Sequence, residues 1–178
     1  FAFFTERKLY IHNAGHATLG YLGYLRGYEY GYEALADDEI YFQARGAMEE
    51  SALALTRKFR PPPGSLLANI EDLLHRFGNR ALGDTILRLG RDPLRKLSPG
   101  DRLAGAAVNA LEQGVTPVHL VTGIAAGLHF AHAGDPIAQA LQARIAADGI
   151  AQVASAVTGF EGSSPLLSRV LARYAALG

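Results

Sequence analysis

Thr5–Arg26 reads TERKLYIHNAGHATLGYLGYLR, and the spacing of its apolar residues decides the fold class. Leu19 and Leu22, and then Tyr21, Tyr24 and Tyr28, recur at three- and four-residue steps, the period of one side of a helix. Gly20, Gly23 and Gly27 form a second stripe on a helical period. Glycine inside a helix costs about 1 kcal/mol relative to alanine. The stripe therefore predicts a neighbouring element packed close against it.

The same period runs outward through the chain. Helices are expected over Glu39–Phe59, which Pro61-Pro62-Pro63-Gly64 ends, and over 65–77 with Ser65 as its cap. Asp84–Leu89 reads as a short helical or irregular piece, and Pro99–Gln113 as a helix opened by proline. Thr116 is expected to cap an apolar helix from Pro117 to Ala131. Asp135-Pro136 is expected to start one that reaches Ala147. Two more are read over 150–158 and 164–176. No stretch alternates like a strand, so the fold class is all-α.

Composition narrows the function. At 178 residues the chain is read as one helical domain, 1–178. It is 49% hydrophobic and 19% charged, which excludes disorder and provides for a real core. Seventeen basic and seventeen acidic residues balance, a poor basis for non-specific binding to nucleic acid or an anionic membrane. The absence of cysteine excludes disulfides, Cys-ligated zinc, iron–sulfur clusters and a thiol nucleophile. The uncharged run Gln113–Gly134 approaches a membrane span in length. Pro117, its glycines and His119, His129 and His132 argue for a buried core helix instead. Phe1-Ala2-Phe3-Phe4 shows neither an initiator methionine nor a signal-peptide pattern, so the chain reads as part of something longer. No G-x-G-x-x-G follows a strand and no P-loop is present, so any nucleotide is expected to bind mostly elsewhere.

Two clusters carry chemistry. On the first helix, Lys8, His12, His16 and Asn13 fall at roughly 0°, 40°, 80° and 140° around an α-helix, one broad face. A lysine in a low dielectric or beside other cations can act as a general base. An amide can donate to a developing oxyanion, and an imidazole can fix a hydroxyl or carbonyl oxygen. Together they suit alcohol–carbonyl interconversion. His12 and His16 at i, i+4 also fit a zinc pair, although no H-E-x-x-H accompanies them, and a solvated polar face explains the same residues. The second cluster is Arg88, Arg91, Asp92, Arg95, Lys96, Asp101 and Arg102. It reads either as salt bridges around a turn or as a site for phosphate or several hydroxyls, because arginine forks match phosphate oxygens. His75, His129 and His132 read as helix-end or core histidines.

Lys8-Leu9-Tyr10-Ile11-His12-Asn13-Ala14-Gly15-His16 resembles the K-x4-N-x2-H signature of the polyol-specific long-chain dehydrogenases/reductases. That family includes mannitol 2-dehydrogenases, uronate reductases and mannitol-1-phosphate 5-dehydrogenases. Gly15-His16-Ala17 with Gly20-Tyr21-Leu22-Gly23-Tyr24, Arg76-Phe77-Gly78-Asn79, Arg91–Leu97, Asp101-Arg102-Leu103 and Gly123–Phe130 look most like the last branch. The resemblance implies the helical C-terminal substrate domain of an NAD-dependent, zinc-independent, cytoplasmic enzyme, related in fold to the 6-phosphogluconate dehydrogenase C-terminal type. Its own N-terminal Rossmann domain would bind NAD and is absent from this chain, which holds no cofactor residues and no metal. The implied reaction interconverts mannitol 1-phosphate and fructose 6-phosphate. Lys8 would be the general base, Asn13 would stabilise the reacting oxygen, and His16 would orient the substrate. Arg88 and Lys96 match an arginine and a lysine, eight apart, that contact substrate. They, or Arg91 and Arg95, would hold the sugar phosphate. The alternatives are an unphosphorylated polyol or a uronate as substrate and, from another class, a helical interaction module without catalysis.

Overall fold

The computed structural model describes residues 1–178, and its regular structure is helical throughout. Only an isolated antiparallel bridge, Tyr30 with Thr85, departs from it. The first helix is continuous in three pieces: α1 (Ala2–Arg7), a π-helical turn (Lys8–Asn13) and α2 (Ala14–Leu25). There follow α3 (Gly31–Leu35), α4 (Asp38–Phe59), α5 (Ser65–Phe77), a 3-10 turn (Arg80–Leu82), α6 (Ile86–Gly90) and α7 (Pro93–Lys96). The chain ends with α8 (Ala104–Glu112), α9 (Val118–Leu128), α10 (Pro136–Asp148), α11 (Ile150–Thr158) and α12 (Pro165–Leu177). No helix is long and apolar enough to cross a membrane.

The centre is α2, α4 and α9, each packed on the other two, with α6 lying on α2 and α12 on α9. Small residues make this possible. A Cβ on Gly20 would lie 2.7 Å from the Leu89 Cβ, and one on Gly23 would lie 2.6 Å from the Ile86 Cδ1. The expected close neighbour is therefore α6. Gly27 is not part of that stripe. It stands past the helix end at φ +78° with open space around it, where it supplies a left-handed turn. From the other side, a Cβ on Gly123 of α9 would meet the Thr18 Oγ1 at 2.6 Å.

Several expected boundaries move, each for a local reason. Pro99 does not open a helix. Gly100 turns left-handed at φ +75°, and regular structure resumes only at Ala104. Ser65 is not a cap, because Gly64 holds that position and the Ser65 hydroxyl is buried without a partner. Thr116 gives way to Glu50 of α4, whose carboxylate accepts from the amides of His119 (2.8 Å) and Leu120 (2.9 Å) at the start of α9. Burial pushes the Glu50 carboxyl up, and those amide bonds act in the opposite direction. Asp135 does cap α10, through Ile137 N at 3.0 Å, and its other oxygen accepts from Asp92 N at 2.8 Å. The short α3, α7 and 3-10 turn were not expected from periodicity.

Candidate active site

The π-helical turn builds the site. Its i→i+5 bonding widens the helix, so residues five apart come closer to alignment than in a 3.6-residue helix. A straight α-helix leaves Lys8 and Asn13 roughly 140° apart. Across one π-turn the same step brings Asn13 toward the line of Lys8 and His12. Asn13 keeps helical backbone angles (φ −70°, ψ −33°), and its amide makes no capping bond. Asparagine is a poor helix former because it favours bonding to nearby backbone. Here it forgoes that bond and leaves its amide free. Lys8 is exposed, so the low dielectric expected around it is not provided within this chain.

His16 lies deeper. Its ring stacks on Phe77 at 3.9 Å and 18°, and His12 sits beside that pair, 5.3 Å from His16 and 5.6 Å from Phe77. Its Nε2 is 4.0 Å from the Asp84 carboxylate. Burial, then the charges of His12, Lys96, Arg88 and Arg102, push the imidazole down to about 3. His16 is therefore neutral at ordinary pH, able to donate and accept one hydrogen bond each. His12 is also lowered, by burial, then Arg76 and Lys8. His12 and His16 join no group of three or more His, Cys, Asp or Glu able to hold a metal ion.

The basic run divides into two sets. Lys96 is 5% exposed, and its ammonium donates to the carbonyls of Leu89 (2.6 Å) and, more weakly, Arg88 (3.5 Å). Burial, then Arg102, Arg95 and Arg91, push it down to about 8. Arg88 pairs with Asp84 at 3.3 Å. Arg91 and Arg95 are exposed and, with Arg88, line a depression of about 480 Å³ against Gly134–Ile137. Arg95 pairs with Asp92 and Arg102 with Asp101. The salt-bridged-turn reading thus explains three of the five cations, but not Lys96 or Arg91. Sequence reasoning left Arg102, Asp84 and Phe77 without roles beside His16. Phe77 stands at a helix end and Asp84 in a loop, where no period marks the side facing inward. Two of the other histidines are bonded within the fold: His129 Nε2 bonds the Tyr174 carbonyl at 2.9 Å, and His132 Nδ1 accepts from Gly134 N at 3.0 Å.

The sequence profile of the mannitol dehydrogenase C-terminal domain matches residues 2–175. The chain belongs to that family. Mannitol-1-phosphate 5-dehydrogenase of Caldanaerobacter subterraneus subsp. tengcongensis is 41% identical over 171 residues, covering 96% of this chain and 44% of that protein. The same-named protein of Thermoanaerobacter pseudethanolicus is 40% identical over an equal span, with the same coverage of both chains. The chain thus spans less than half the length of these relatives. Among solved structures, Pseudomonas fluorescens mannitol 2-dehydrogenase in ternary complex with NAD and D-mannitol superposes with a TM-score of 0.79 at 25% identity. The match covers 98% of this chain and 38% of that one. Substrate-free D-sorbitol dehydrogenase superposes at 0.77 and 20% identity over 97% of this chain and 38% of its own, which bears on the fold alone. The all-α class and the family resemblance are both borne out.

The fit to a dinucleotide is one-sided. An all-helical chain has no strand–turn–helix to grip a pyrophosphate. Its open face with a free amine, a free amide and a neutral imidazole does fit a reacting C–O group laid against it.

Proposed function

We propose that this chain is the C-terminal substrate domain of an NAD-dependent oxidoreductase that interconverts mannitol 1-phosphate and fructose 6-phosphate. An N-terminal Rossmann-type domain of the same protein would hold NAD. The observation that carries the reading is the π-turn that draws Asn13 toward the line of Lys8, with His16 in the next turn and close enough to Lys96 and Arg88 to feel their charge. The two mannitol-1-phosphate 5-dehydrogenases that match 96% of the chain support the substrate.

In the oxidising direction the substrate hydroxyl loses its proton to the unprotonated Lys8 Nζ as the C–O bond becomes C=O. NAD, when bound, supplies the acceptor for the hydride that leaves the same carbon. The Asn13 amide donates to the oxygen while it carries negative charge, a contribution of the oxyanion-hole kind. His16 holds a neighbouring oxygen and, being neutral, does so without competing for the proton. Phe77 fixes the plane of its ring. Arg88 and Lys96 meet the substrate's far hydroxyls or phosphate, and Arg91 and Arg95 extend the positive field across the adjoining depression. In reduction Lys8 returns the proton. Lys8 is exposed in this chain, so closure of the cofactor domain over it must supply the desolvation that frees its lone pair.

The test is NADH consumption by the whole protein, offered fructose 6-phosphate and fructose in parallel. Fast turnover of the phosphate and slow turnover of fructose is the expected result. A preference for fructose would move the protein to the unphosphorylated-polyol branch, and turnover of neither would remove the reading.

A further inference from the structure

We propose that Arg102, with Lys96 beside it, holds the phosphate of the substrate and sets the preference of the site for a phosphorylated sugar. The inference rests on the reaction proposed above.

The turn before α8 lies against the first helix at two points. The Tyr10 hydroxyl donates to the Gly100 carbonyl at 3.5 Å. Leu103 packs where a Gly123 Cβ would stand 3.1 Å from its Cδ2, beside Thr18. Arg102 is thereby pinned between the levels of residues 10 and 18, the stretch that carries Asn13 and His16. Its side chain is only 14% exposed. Asp101 Oδ1 accepts from both the Arg102 main-chain N (2.6 Å) and its Nε (2.8 Å). The stem is fixed by these bonds, and the two terminal guanidinium nitrogens have no protein acceptor. A fork held at its base with free tips is the shape that takes two oxygens of one anion.

Charge accounting points the same way. Of the four nearby carboxylates three are engaged by an arginine, Asp84 by Arg88, Asp92 by Arg95 and Asp101 by Arg102, and the fourth, Asp135, accepts from the Asp92 and Ile137 amides. Lys96 is left over, buried, with only carbonyl oxygens for partners. A buried ammonium without a counterion is costly, and a phosphate dianion would offset that where a neutral hydroxyl would not. Arg91 also lacks a carboxylate, but it is exposed, and a surface charge loses little by staying hydrated. The interior pair is therefore the better phosphate seat than the Arg91–Arg95 depression.

The experiment uses the whole protein and two readouts. One is KM for fructose 6-phosphate and for fructose in wild type, Arg102→Ala and Arg102→Lys. The other is the Kd of inorganic phosphate by calorimetry, which needs no turnover. Loss of a charge-assisted pair should raise the fructose 6-phosphate KM and the phosphate Kd of Arg102→Ala roughly 10- to 100-fold. Fructose should stay unchanged, and Arg102→Lys should fall between. Equal losses for both sugars would make Arg102 a general structural residue and overturn the proposal. So would unchanged phosphate affinity, or a larger phosphate loss in Arg91→Ala. If wild type reduces neither sugar, the reaction falls while the phosphate titration still decides the role of Arg102. Should Arg102→Ala not fold, Arg102→Lys carries the comparison alone.

Discussion

Within one continuous helix, Lys8–Asn13 and Ala14–Leu25 use their side chains in opposite ways. The π-turn buries only Ile11 and leaves a lysine and an amide unengaged. The twelve residues after it bury nine, mostly small, against α4, α6 and α9. On the proposed reading, one half carries the chemistry in an unusual backbone, and the other is the packing that holds it. Rigid support beneath an irregular turn is what keeps free polar groups within the tolerance catalysis needs. The difference also separates two kinds of damage: changes in the first half should cost turnover, and changes in the second should cost stability.

The sharpest way to break that division is Asn13→Ala in the whole protein. Removal of one oxyanion donor costs about 10²- to 10³-fold in kcat, and the melting temperature should stay near wild type because the Asn13 amide caps nothing. Steady-state kinetics beside a thermal melt reads both. A large fall in stability with unchanged kcat would merge the two halves.

The opposite case is Gly20→Val, which places a branched side chain where a Cβ alone already meets Leu89 at 2.7 Å. Overpacking of this kind costs typically 1–3 kcal/mol, visible as a lower urea midpoint, while kcat of the folded protein changes little. Gly27→Ala is the control on the same helical spacing. It meets no atom within 4 Å, and its cost is confined to the left-handed backbone, about 1–2 kcal/mol. Equal turnover losses in Gly20→Val and Asn13→Ala would contradict the separation.

His16 stands at the junction, and its titration is read as a gradual change of stability with pH. The folded-state value of about 3 lies below the ordinary 6.5, so the unfolded chain takes up the proton first as pH falls. Its contribution is fully present above pH 6.5. Below that it is lost at about 1.4 kcal/mol per pH unit, down to about pH 3. His12 and His119, also lowered, add slopes of the same sign. Urea unfolding between pH 4 and 7 should show a shallower slope in His16→Gln than in wild type. Identical slopes would mean that the His16 ring is hydrated in the folded protein.

Much of the fold was legible because its punctuation is local. Asp135-Pro136, Ser164-Pro165 and the 61–64 prolines start or stop helices by their own chemistry. Misreadings arose where a distant group does the work. Glu50 caps α9 from 68 residues before Val118, and no inspection of Thr116 reveals that. Pro99 looks like a first-turn proline until Gly100 turns the chain away. Residue types point to the Lys8 face as the candidate site, but the π-turn beneath it is not readable because its apolar pattern is that of an α-helix. The five-residue step from Lys8 to Asn13 was the one trace of it. Which cations of the 88–102 run face inward could not be read from spacing, because two short helices and a turn interrupt any period there.

The most direct measurement is turnover of fructose 6-phosphate by the Lys8→Ala whole protein beside wild type, with NADH affinity recorded for both. Loss of the general base is expected to lower kcat about 10²- to 10⁴-fold while NADH binds as before and the fold is kept, since Lys8 is exposed. Turnover at the wild-type rate would show that the Lys8 face is not where the proton moves, and the proposed mechanism would fall.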